Sequence, residues 1–158
     1  MNSNNSISKA VKILCDGGLV AFPTETVYGL GADAMNSRAA ERIFQVKKRP
    51  RNHPLIVHVS SIYLAKKIVI NWPKKADDFA NKFWPGPMTL VFKKNNILPE
   101  CVTAGYDTVA VRIPSNITAQ TLLKEFAHSG SGYVAAPSAN IYGSLSNTSY
   151  SDVRAAIG

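Results

Sequence analysis

Short apolar runs alternate along this chain with segments of helical spacing, and that alternation limits the fold more than any other feature. The runs are Leu19–Phe22, Leu55–Val59, Met88–Phe92, Thr108–Ile113 and Tyr133–Ala136. Each is long enough for a buried strand and too short for a helix. Between them lie segments with caps and breakers. Ser6 or Ser8 caps a helix to Cys15 with Ala10, Val11 and Leu14 on one face, and Gly17 and Gly18 stop it. A second helix starts near Ser37, places Ala40, Ile43, Phe44 and Lys47 at helical spacing, and ends before Pro50. Ser60 or Ser61 caps a third through Ile68, and Pro73 opens a fourth that ends near Phe83. Thr118–Ala127 and Ser149–Ile157 complete the set. Interleaved strands and helices predict an α/β fold with a largely buried mixed sheet.

The 158 residues contain no repeat, linker or low-complexity tract, so residues 1–158 are expected to form a single domain. No apolar run reaches the ~18 residues of a membrane span. Met1 to Ser8 is polar and lacks the charged start and apolar stretch of a secretory signal. A cytoplasmic protein without a membrane partner is the expectation. Cys15 and Cys101 are isolated and read as free thiols. His53, His58 and His128 have no metal-like spacing, so no structural zinc is expected. The net charge of +8 implies a polyanionic partner or an anionic substrate. Lys66, Lys67, Lys74 and Lys75 read as solvated helix faces. Lys47, Lys48, Arg49 and Arg51 differ, because Pro50 interrupts them and a strand follows at once.

Three loops that leave these elements carry chemistry. Pro23-Thr-Glu-Thr-Val-Tyr-Gly-Leu-Gly31 holds two hydroxyls, a carboxylate, a phenol and two glycines that permit close approach of a ligand. It matches neither GxGxxG nor GxxxxGK[ST] spacing; a plain strand–turn–strand connection reads equally well. Lys47-Lys-Arg-Pro50, continued by Arg51, Asn52, His53 and Pro54, suits a polyphosphate. Arginine binds two phosphate oxygens at once and lysine supplies a compact charge. Cations at a helix C-terminus also need no ligand. Ala136-Pro-Ser-Ala-Asn140, with Ser144, Ser146, Asn147 and Thr148 beyond, offers short polar groups to phosphate or ribose, or simply turns. Open α/β sheets bind ligands at such strand ends.

FPTETVYGLGADA, the KKRP loop with PLIVHV, WPGPMTLVF, DTVAVRIP and APSAN occur in this order. Together they resemble the threonylcarbamoyl-AMP synthase family of the TsaC/YrdC type, over roughly residues 8 to 157. The resemblance implies a twisted mixed sheet with a concave, basic face associated with double-stranded RNA or tRNA. It also implies a nucleotidyltransferase reaction in which L-threonine, bicarbonate and ATP give threonylcarbamoyl-AMP and pyrophosphate. Mg²⁺ would enter with ATP, and no tightly held cofactor is implied. Partner proteins then transfer the threonylcarbamoyl group to tRNA.

Residue by residue, the resemblance gives Lys47, Arg49, Ser138 and Asn140 the triphosphate and the catalytic work. Thr108 and Ser146 become further nucleotide contacts, as does His53, which stands where the family commonly has Asn. Thr26, His58, Arg112 and the backbone around Ala136 form the threonine pocket, with Arg112 on the substrate carboxylate. Family members usually continue into a Ser/Thr-rich strand and an Arg-bearing segment, and that closing segment is expected to be absent from this chain. An RNA-binding module of the same fold without synthase activity, and a related carbamoyl-transfer domain, are the alternative readings.

Overall fold

The computed structural model describes residues 3–158, with side chains from residue 5. Along the chain run α1 (Ser3–Cys15), β1 (Val20–Pro23), β2 (Tyr28–Asp33), α2 (Ser37–Lys47), β3 (Ile56–His58), α3 (Ile62–Lys67), α4 (Lys74–Phe83), β4 (Leu90–Lys93), α5 (Glu100–Thr103), β5 (Thr108–Arg112), α6 (Ile117–Ser129), β6 (Val134–Ala135) and α7 (Tyr150–Ile157). The strands form one six-stranded sheet in the order β1-β2-β6-β3-β5-β4. β3 and β5 run parallel, and the other pairs are antiparallel. The α/β expectation with a mixed sheet is met.

α1 begins at Ser3, so Ser6 and Ser8 lie inside it and neither is its cap, contrary to expectation. Ser61 caps α3, Ser149 caps α7 and Asn36 caps α2, each through a side-chain oxygen that accepts a backbone N–H. α2 ends where Lys48 turns left-handed at φ 52°, just before the proline that forbids its continuation.

Both faces of the sheet are covered, but unequally. On one, Val57, Val109, Val111 and Ala135 pack with Ile43 and Phe44 of α2 and with Leu98 and Val102. On the other, Phe22, Val134 and Ala136 pack under Val11 and Leu14 of α1 and Leu122, Leu123 and Phe126 of α6. That cover ends short of β4. Val91, opposite Ala110 in the register, is 63% exposed. Because side chains alternate along a strand, Thr108, Ala110 and Arg112 share this less covered face, while Val109 and Val111 point into the core.

Two further elements go beyond what the sequence settled. Residues 28–33 form a strand, which decides for strand–turn–strand over the loop reading of the segment through Gly31. The stretch YGLGAD lacks apolar alternation, and glycine ordinarily weakens a strand. Here glycine is required. A Cβ on Gly31 would lie 2.7 Å from Val134 and 2.8 Å from the Phe22 ring. The Phe22 ring crosses the strand where a side chain would stand. The second is the single-turn α5, too short to show periodicity.

A candidate amino-acid and nucleotide site at the sheet centre

β3 and β5 pair in parallel with His58 opposite Arg112, and both side chains line a cleft of about 190 Å³. Thr24, Tyr28 and Gly29 close it from the β1–β2 hairpin, and Ala136, Pro137 and Ser138 from the loop after β6. His58 is 4% exposed. The Phe22 ring meets it edge-on at 5.9 Å between centroids. Burial, then the nearby Arg112 charge, push its pKa down to about 4. The imidazole is therefore neutral at physiological pH, and its Nδ1 has no hydrogen-bond partner among the described residues.

Arg112 is held on one edge. Its Nε donates to the Gly86 carbonyl at 3.2 Å, and its Nη2 donates to Glu25 Oε2. The other Glu25 oxygen accepts from the Ser115 backbone N–H at 2.6 Å and from its hydroxyl at 3.0 Å. Burial raises the Glu25 pKa, but the Ser115 N–H, Glu25's own N–H and Arg112 outweigh it, so the net shift is downward. Gly86 belongs to the Trp84-Pro-Gly-Pro turn. A Cβ there would lie 2.3 Å from the Phe83 carbonyl, so glycine is needed for the turn to bring its carbonyl to Arg112.

The second group of residues joins α2 to the loop after β6. Lys47 is 1% exposed and donates from Nζ to the carbonyls of Ser138, at 2.5 Å, and Asn140. In return, the Tyr142 N–H donates to the Lys47 carbonyl at 2.8 Å. Burial, with help from Arg49, lowers the Lys47 pKa to about 8. Asn140 is also buried, and its amide donates to the carbonyls of Ile141 at 2.9 Å and Ser144 at 2.8 Å. Lys47 and Asn140 thus shape the loop. The Ser138 side chain makes no such bond, and Ser138 is one of the residues that line the cleft.

Arg49 lies two residues past the end of α2 and is half-buried. It donates to the carbonyls of His53 at 3.4 Å and Pro54 at 3.2 Å, and its guanidinium lies 5.7 Å from the Tyr142 ring centroid. Burial lowers its pKa, with Tyr142 opposing. His53 Nε2 stands 3.3 Å from the Tyr142 hydroxyl. Arg49, His53 and Tyr142 form one cation–aromatic group.

The residues expected from sequence therefore separate into five placements, of which the group of Arg49 and His53 beside Tyr142 is one. His58, Arg112, Ala136 and Ser138 come together around the cleft. Lys47 and Asn140 sit behind the loop, with their N–H donors on backbone carbonyls, while the buried Asn140 Oδ1 has no partner among the described residues. Thr108 shares the face of Arg112 but starts β5, four residues or ~13 Å away, at the end where the Arg49 loop enters β3. Thr26 and Ser146 are exposed and outside the cleft lining. Glu25 and Tyr142 emerge as site residues that spacing did not single out. The lone carboxylate of the first loop was the available signal for Glu25.

The chain matches the family described as "Telomere recombination", covering Sua5, YciO and YrdC, over residues 12–158. The threonylcarbamoyl-AMP synthase of Pyrococcus abyssi is 46% identical over 140 residues, covering 89% of this chain and 40% of the relative. That of Pseudoalteromonas translucida is 35% identical, covering 80% of this chain and 68% of the relative. The crystal structure of P. abyssi Sua5 complexed with L-threonine superposes with a TM-score of 0.90 at 44% identity, covering 95% of this chain and 43% of that one. The chain thus spans about two-fifths of the archaeal relative, since 40% of that relative is matched.

Proposed function

We propose, because the chain belongs to the Sua5, YciO and YrdC family, that it makes threonylcarbamoyl-AMP from L-threonine, bicarbonate and ATP. The observation that carries this reading is the cleft in which Arg112 and His58 face Ser138, beside the Arg49 loop. One end supplies a guanidinium for a carboxylate, and the other supplies a hydroxyl and a cation for phosphates.

In the proposed reaction the threonine amine and bicarbonate form an N-carboxylate, with loss of water. A carboxylate oxygen attacks the α-phosphorus of ATP, and the bond to the β-phosphate oxygen breaks to release pyrophosphate. This chemistry needs alignment and neutralisation of growing negative charge rather than a covalent nucleophile. Arg112 holds the threonine carboxylate. Neutral His58 lines the cleft without adding charge. Arg49 and the Ser138 hydroxyl serve the phosphates. Lys47 and Asn140 act through the loop they hold.

Among the described residues no cluster of three His, Cys, Asp or Glu could hold a metal. Mg²⁺ would arrive with ATP, supported by phosphates and water. The product is a precursor for tRNA modification, passed to transfer proteins. The +8 charge supports contact with RNA. Among the described residues no helix is long and apolar enough to cross a membrane, and a cytoplasmic site of action fits the substrates.

Mass-spectrometric detection of threonylcarbamoyl-AMP from the purified chain with ATP, bicarbonate and L-threonine tests the reading. Its absence, alongside steep salt-dependent RNA binding, would support a binding module instead. Arg49→Ala is expected to cost ~2–4 kcal/mol of transition-state stabilisation, like the loss of another preorganised donor. Undiminished pyrophosphate release by that variant would remove Arg49 from the mechanism.

A further inference from the structure

We propose that Glu25 is a positioning residue, holding one edge of the Arg112 guanidinium so that its other donors face an amino-acid carboxylate. The inference rests on the synthase reading for the identity of that amino acid. Its geometry is independent of that reading.

Arg112 lines the cleft, yet two of its nitrogens are already engaged. Nε donates to the Gly86 carbonyl and Nη2 to Glu25. Nη1 makes no hydrogen bond among the described residues. A guanidinium presents its donors in a fixed plane. Fixing the Nε–Nη2 edge therefore fixes where the Nη1 donors point.

Glu25 suits this task because it is itself immobilised. Ser115 supplies two hydrogen bonds to its second oxygen, from the start of the segment that leads into α6. Side-chain exposure is 14% for Arg112 and 16% for Glu25, so the pair is shielded from the screening that weakens surface pairs. The same contact ties the Thr24–Val27 turn, closed by Thr24 Oγ1 on the Val27 carbonyl at 2.6 Å, to the far end of β5. One carboxylate thus sets both the guanidinium and a wall of the cleft.

The charge balance has a further consequence. Glu25, just outside the cleft lining, offsets the Arg112 charge and His58 is neutral, so the Arg112, Glu25 and His58 side chains together carry no net charge. Such a site matches an amino-acid zwitterion better than a bare carboxylate anion. A rival role for Glu25, competition with the substrate for Arg112, predicts the opposite effect of its removal.

The test is L-threonine affinity by calorimetry, together with threonine and ATP KM values, for the chain and its Glu25→Ala, Glu25→Gln and Glu25→Asp variants. Thermal melts confirm that each variant is folded. Glu25→Ala and Glu25→Gln are expected to weaken threonine binding roughly tenfold or more, the worth of one charge-assisted hydrogen bond. The ATP KM is expected to stay within about twofold in both. Glu25→Asp is expected to recover part of the loss. Unchanged or tighter threonine binding in folded Glu25→Ala overturns the proposal, as does a parallel rise in both KM values. If the parent chain binds threonine but forms no adenylate, the synthase reading falls and the affinities still decide the role of Glu25. If it binds no threonine, both fall.

Discussion

The ammonium of Lys47 donates to the carbonyl of Ser138 at 2.5 Å, a contact between residues 91 apart in sequence. With the second bond to the Asn140 carbonyl, it fastens the end of α2 to the loop that carries the Ser138 hydroxyl. Lysine is costly to bury, and here two carbonyls receive it. Lys47→Met would retain the aliphatic volume and leave those carbonyls without a donor. A loss of about 1–3 kcal/mol is expected in denaturant unfolding, the usual cost of orphaned buried polar groups. Unchanged stability would show that the carbonyls find other partners.

The same lysine makes a prediction about pH. Its folded pKa of about 8 lies below the ordinary 10.5. Between those values the unfolded chain binds a proton that the native chain does not. The Lys47 contribution to stability therefore rises as pH increases through that window. Measured as the difference between the parent chain and Lys47→Met, stability is expected to climb from pH 8 to pH 10. A flat or falling difference would show that the native ammonium is not destabilised by burial.

These lysine contacts also mark where sequence stops being informative. The strands around β3 and β5 were readable because runs such as LIVHV bury both faces, and the helices because Ser61, Ser149 and Pro50 punctuate them. The gathering of His58, Arg112, Ala136 and Ser138 follows from loops that leave neighbouring strands. What Lys47 and Asn140 bond to did not follow. Their residue types suit phosphate, and only the folded chain puts backbone carbonyls within reach. β2 was undecided in the sequence for a related reason, since its glycines answer to a Phe22 ring outside the strand.

That ring gives the third prediction. Gly31→Ala would place a methyl 2.8 Å from Phe22 and 2.7 Å from Val134. Both neighbours are buried, so a cost of about 1–3 kcal/mol is expected from overpacking. Phe22 also meets His58 edge-on. The same variant is therefore expected to weaken threonine binding more than ATP binding. Calorimetry with each ligand separates the two, and an equal loss would show that the disturbance does not pass through His58.

His58 should shape the acid limb of stability. Its pKa is about 4 in the folded chain against an ordinary 6.5. As pH falls through that interval the unfolded chain takes up a proton that the native chain refuses. Stability is expected to decline toward acid by up to ~1.4 kcal/mol per pH unit from this residue alone. His58→Leu removes the titration, so its unfolding free energy is expected to fall less steeply over the same range. Parallel curves for the two proteins would mean that the imidazole is protonated in the fold.

Tyr142 is the residue through which the proposed nucleotide end can be probed without replacing a residue proposed to touch phosphate. Its ring lies against Arg49, and its hydroxyl reaches His53 at 3.3 Å. A cation over an exposed ring contributes about 0.5–1 kcal/mol. Losing the ring is therefore expected to raise the ATP KM about two- to fivefold in Tyr142→Ala, by releasing Arg49 from its fixed direction. Tyr142→Phe retains the ring and loses only the hydroxyl contact, so its ATP KM is expected to stay close to the parent value. Threonine KM should move in neither variant, because Tyr142 lies outside the cleft that holds His58 and Arg112. If Tyr142→Phe behaves like Tyr142→Ala, the hydroxyl bond to His53, not the ring over Arg49, orders this end of the site.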